Sequence, residues 1–141
     1  MRPFLRFATL AFSLALAATS LLRAQDGPEP TDADKAFFRD FKRAVLAGDR
    51  AWVSGHVCFP VRAVIDGRSR MIANAEDLDA AYAQIMTLDV VNTIRRQTPE
   101  ALVRTTRGVM IGDGEVWLGE DPAVPAGAPA KVCIIAFGNA D

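Results

Sequence analysis

Few side chains in this sequence have types and spacings suited to chemistry. His56 is the only histidine, and an imidazole that titrates near neutral pH is a natural general base. A base needs a partner within hydrogen-bond reach, and no serine, second cysteine or carboxylate stands beside His56 at a recognisable catalytic spacing. A structural or merely polar role is therefore the competing reading of the ring. Cys58 and Cys133 are the only cysteines. An oxidising compartment would permit a disulfide between them, whereas unpaired they would act as two small buried hydrophobes; Cβ geometry decides between these. Two cysteines and one histidine, widely spaced as a set, make a poor ligand set, so no metal is expected. Arg95, Arg96, Arg104 and Arg107 form the one basic cluster, read as a solvated helix end and a strand face.

The elements that must position these residues are organised around Gly108 to Gly119, GVMIGDGEVWLG. Its apolar residues alternate, with Val109 and Ile111 on one face and Met110 on the other, then Val116 and Leu118 against Trp117. Gly112, Asp113 and Gly114 suit the positive-φ positions of a tight hairpin loop. No helix follows, so these glycines do not form a phosphate-binding loop and no cofactor is expected. Asp113 and Glu115 belong to the chemistry of the turn.

The chain opens with Arg2 and Arg6, an apolar run from Phe7 to Ala18, and a small residue, Ala24, before Gln25 and Asp26. This is the outline of a secretory signal peptide over residues 1–24, too short for a comfortable membrane span. Residues 25–30 read as a flexible leader and 31–141 as a single domain long enough for one core. Without Arg2, Arg6 and Arg23, sixteen basic residues become thirteen against seventeen acidic ones, a formal charge of −4. That balance argues against nucleic acid as a partner. The expected location is periplasmic or secreted, with no stable membrane span after cleavage.

Along the domain, Thr31 with Asp34 makes a capping box before a helix carrying Phe37, Phe38, Phe41, Ala44 and Val45 on one side. Gly48 ends it and Asp49 caps a second short helix that stops at Gly55. Phe59 to Ile65 and Arg68 to Ile72 are strands joined by Asp66–Gly67. Asn74 caps a third helix with Leu78, Ala81, Tyr82, Ile85 and Met86 on its apolar face, and Val90, Val91 and Ile94 extend it as a further short helix. A long hairpin arm from Leu102 to Ile111 returns through Glu115 to Gly119. Lys131 to Phe137, KVCIIAF, is apolar throughout and is the expected middle of the sheet. The expected class is α+β, a curved antiparallel sheet wrapped around the aromatic stripe of the first helix.

In this order of elements the chain resembles the nuclear-transport-factor-two-like superfamily, in particular its small exported bacterial members. The residues carrying the resemblance are FFRDFKRAVLAGDR at 37–50, FPVR at 59–62, the helix with Leu78, Tyr82 and Ile85, the GVMIGDGEVWLG hairpin and the apolar last strand. The resemblance implies a cystatin-like cone, often with a pocket between sheet and helices. Some members are isomerases or dehydratases. Their base-and-oxyanion arrangement has no match here, since Tyr82 is the only tyrosine and no strand acid aligns with it.

The function expected is an exported, non-catalytic binding or interaction module for a small apolar molecule or an envelope protein. Trp52, His56, Arg62, Tyr82 and Trp117 are the candidates for the mouth or walls of a pocket, and each could equally be a packing or ion-pair residue. The alternative is a small pocket enzyme of ketosteroid isomerase or dehydratase type using His56 with an acid brought near by folding. A protein partner or a homodimer through the outer sheet face around Trp117 is the third class.

Overall fold

The structure, a computed structural model, describes residues 27–139. The segment read as an export signal and the first two leader residues lie outside the described residues.

Thr31 opens the first helix as its spacing predicts: its hydroxyl accepts from the Asp34 N–H, and the Asp34 carboxylate accepts from the Thr31 N–H at 2.7 Å. Helix α1 runs Asp32–Ala47 and ends at Gly48, whose φ of 70° is the left-handed cap that glycine adopts without penalty. Asp49 caps α2, Arg50–Gly55, and the hairpin β1, Val57–Ile65, with β2, Arg68–Ile72, follows. Asp66 and Gly67 both have positive φ (50° and 73°), the geometry of a two-residue turn matched to strand twist. Asn74 caps α3, Ala75–Ile85. Thr87 caps α4, Leu88–Arg96, where it accepts from the Val90 N–H.

Leu102 to Ile111 is not one arm. It divides into β3, Val103–Thr105, and β4, Gly108–Ile111, which pair with each other. The reason is local: the Thr105 hydroxyl accepts from the Arg107 N–H and donates to the Gly108 carbonyl, closing a side-chain turn that apolar alternation does not reveal. Strands β5, Val116–Glu120, and β6, Val132–Phe137, complete a sheet of order β2-β1-β6-β5-β4-β3. The apolar β6 is an interior strand, as its composition requires.

The class is α+β with a curved, unclosed sheet. It is mixed rather than wholly antiparallel, because β1 and β6 pair in parallel. Hairpin connections dictate antiparallel neighbours, but β1 and β6 are joined by everything between them, which leaves their relative direction unconstrained. Cys58 and Cys133, on these two strands, form a disulfide with Cα atoms 5.7 Å apart.

Between sheet and helices the space is filled by side chains. Phe38, Phe41, Val53, Leu78 and Ile94 from the helices meet Val61, Ala63, Val109, Ile111, Val116, Leu118, Ile134 and Phe137 from the strands, all essentially buried. Each large side chain contributes about 1.5–3 kcal/mol by leaving water. The residues between these core positions on the strands point to the outer face of the sheet, the face away from the helices.

Candidate functional site

Arg62 lies between Val61 and Ala63, and Trp117 between Val116 and Leu118; all four flanking residues belong to the core. Strand alternation therefore sends Arg62 and Trp117 to the outer face. Both are register partners of one residue, Ala136, which sits between them on β6. With strands about 4.8 Å apart, the two α-carbons are separated by roughly 10 Å, and the alanine methyl leaves the intervening floor low. A recess of about 120 Å³ results, lined by Arg62, Arg107, Trp117, Ile135, Ala136 and Gly138.

Three local features shape it. The β5–β6 register passes from Trp117 opposite Ala136 to Leu118 opposite Ile134, so Ile135 is the extra residue of a bulge and contributes a wall. Its side chain needs the space beside Gly119, where a Cβ would come within 2.8 Å of the Ile135 Cδ1. The turn between β3 and β4 brings Arg107 over the indole, with Cζ 5.8 Å from the centroid of the Trp117 ring, a cation–π distance. Trp117 is buried although it lies outside the core cluster. Arg62 is exposed, and among the described residues no hydrogen bond or ion pair holds its guanidinium.

On the helix side, Trp52 and His56 stack with centroids 3.8 Å apart and planes 13° from parallel, and Phe37 closes on both rings at 5.6 and 5.9 Å. The His56 Nδ1 is 2.6 Å from the Trp52 carbonyl, so this nitrogen carries a hydrogen and donates it. No carboxylate pairs with His56 among the described residues. Tyr82, on α3, is buried, with the Arg50 guanidinium 4.7 Å above its ring and Arg50 also 3.5 Å from Asp79. Burial pushes the Tyr82 phenol above its ordinary value; the Arg50 charge opposes this and the Asp49 charge adds to it. The sequence candidates thus fall into separate groups: Arg62 and Trp117 on the outer face, Trp52 and His56 against the core, and Tyr82 beneath Arg50.

Reasoning from sequence missed Arg107, Ile135, Ala136 and Gly138 as neighbours of Trp117. Only the alternation of KVCIIAF against EVWLG could have suggested them, and the bulge at Ile135 breaks that alternation. It also placed Arg104 on a solvated strand face, whereas the structure pairs Arg104 Nη2 with the Asp34 carboxylate at 2.8 Å, with Asp34 1% exposed. Burial by itself would raise the Asp34 carboxyl. Hydrogen bonds from the Thr31 N–H, the Arg104 guanidinium and the Thr31 hydroxyl, together with the Arg104 charge, hold it below the usual carboxylate range instead.

Among the described residues no three His, Cys, Asp or Glu side chains group as metal ligands would, and no helix is long and apolar enough to cross a membrane. No protein-family model matches the chain, and neither a curated protein nor a solved structure matches it.

Proposed function

We propose that the chain is an exported, non-catalytic binding module of the nuclear-transport-factor-two-like kind, and that its site is the outer-face recess beside Trp117. Its ligand is a small carboxylate with an apolar or aromatic body. The observation that carries this reading is the convergence of Arg62, Arg107 and Trp117 on a recess floored by Ala136. The Arg62 guanidinium favours an anion by charge-assisted hydrogen bonds, while Ile135, Ala136 and the indole beneath Arg107 favour an apolar body. The superfamily assignment rests on the order of elements and the motifs quoted for it, and export rests on the outline of residues 1–24. The disulfide and the lack of a membrane-crossing helix among the described residues are compatible with export.

Trp52→Phe leaves Trp117 as the only tryptophan, which makes its fluorescence a direct reporter of the recess. Benzoate should change that emission with a Kd on the order of 1 mM, as about −4 kcal/mol over so few atoms implies. Benzamide, isosteric and neutral, should bind at least about tenfold more weakly, since its loss of charge costs about 1.4 kcal/mol or more. Equal responses to the two compounds, or none, would remove the carboxylate reading.

A further inference from the structure

The strand at one end of the sheet, β2, carries a second surface that shares no residue with the recess. Its one neighbour is β1, and Arg68, Ser69, Arg70 and Met71 are all exposed, Met71 to 60%. The two-residue turn at Asp66–Gly67 closes on the pair Ile65 and Arg68, so hydrogen-bonded and non-hydrogen-bonded pairs alternate from there. Arg68, Arg70 and Ile72 exchange bonds with β1. The N–H and C=O groups of Ser69 and Met71 point away from the sheet, and no hydrogen bond among the described residues satisfies them. Charged residues on such an edge ordinarily only discourage aggregation.

Here the charges are placed more specifically. Arg68 and Arg70 share the face of Ile72, toward α3, and line adjoining hollows of about 530 and 350 Å³ with Gln84 between them. Neither arginine has an ion pair among the described residues. Asp66 lines the hollow beside Arg68 and Asp77 the one beside Ile72, so acid is favoured on a partner only in the interval between these carboxylates. On the other face the exposed Met71 offers an apolar contact. A strand added to β2 would therefore meet the cations Arg68 and Arg70 on one face and Ser69 and the Met71 thioether on the other.

We infer that β2 is a docking edge for an extended acidic segment of another protein, one alternating acidic and apolar residues, which pairs its backbone with Ser69 and Met71 and its carboxylates with Arg68 and Arg70. A second copy of this chain fits poorly, because two-fold pairing centred on Ser69 or Arg70 sets arginine directly opposite arginine. Charge complementarity with an acidic strand has no such conflict.

The test uses a fluorescein-labelled, acetylated and amidated hexapeptide alternating glutamate and valine, titrated into the mature protein at low ionic strength and followed by anisotropy. Binding should be saturable, should weaken by about tenfold in Arg70→Glu, and should slow amide hydrogen exchange at Ser69 and Met71. Ser69→Pro removes an outward N–H without touching the β1 ladder and should abolish binding while leaving the far-ultraviolet circular dichroism unchanged. A hexapeptide alternating lysine and valine should not bind. Absence of binding, equal binding of the lysine peptide, protection at the β3 edge instead, or concentration-dependent dimerisation through β2 would each overturn the inference.

Discussion

Arg62 and Trp117 are the two register partners of Ala136, one on each side of β6. Fifty-five positions apart in sequence, they become walls of one recess because the residue between them is the smallest that still has a side chain. The parallel pairing of β1 with β6 makes this possible, since it places Arg62 within reach of a hairpin that forms far along the chain.

Filling the recess should separate binding from folding. In Ala136→Leu the added side chain rises between Arg62 and Trp117 on the outer face rather than in the core, so the stability change should stay within about 1 kcal/mol. Benzoate affinity should fall by more than about tenfold, because the site is then sterically occupied. Urea unfolding and the fluorescence titration, run on the same preparation, check both halves.

The ion pair of Asp34 and Arg104 joins the start of α1 to β3 across seventy positions. Asp34→Asn removes the negative charge and leaves the partly buried Arg104 uncompensated, at a cost of about 3 kcal/mol. The folded-state carboxyl titrates below the unfolded value near 3.8, so the unfolded chain takes up the proton first. The stabilisation is thus complete above the unfolded value and disappears as pH falls through the folded one. Urea midpoints at pH 5 and pH 3 should differ more in the wild type than in Asp34→Asn, whose curve should be flatter over that window.

The disulfide closes a loop with a sequence separation of 75. Restricting the unfolded chain over that length stabilises the fold by about 4 kcal/mol in the loop-entropy account. The urea midpoint should therefore drop clearly when the protein is unfolded in the presence of dithiothreitol, and Cys58→Ser with Cys133→Ser together should reproduce the drop without reductant. An unchanged midpoint would mean that the bond spans a region already ordered in the unfolded state.

Much of the fold was legible because it is written locally. Thr31, Asp49 and Asn74 announce their helices through short side chains that cap the backbone. Asp66–Gly67 announces its turn, and the alternation of GVMIGDGEVWLG separates core from outer face before any contact is known. Its turn acid is legible too: the Glu115 carboxylate accepts the Asp113 N–H at 2.7 Å. The β3–β4 turn was not legible, because it depends on a single threonine hydroxyl within a run that also fits an uninterrupted strand. The parallel β1–β6 pairing and the Asp34–Arg104 contact were hidden for a different reason, since both join segments distant in sequence and leave no local mark.

The candidate site was half legible. Arg62 and Trp117 were singled out for their chemistry, and the structure brings them together. His56 drew attention by being unique, yet its ring stacks on Trp52 and donates to a carbonyl of the helix it caps, which accounts for its position by packing alone. Arg107 and Ile135 could not be placed because a turn and a bulge, not periodicity, aim them at Trp117.

The most direct test of the central claim is a ¹H–¹⁵N correlation spectrum of the protein titrated with benzoate, with benzamide as the neutral control. The account predicts benzoate-specific shifts at the Trp117 indole and at the Ala136 and Gly138 amides, lost in Arg62→Met. Shifts centred on the Trp52 indole and His56, or a response to benzamide equal to that for benzoate, would contradict it.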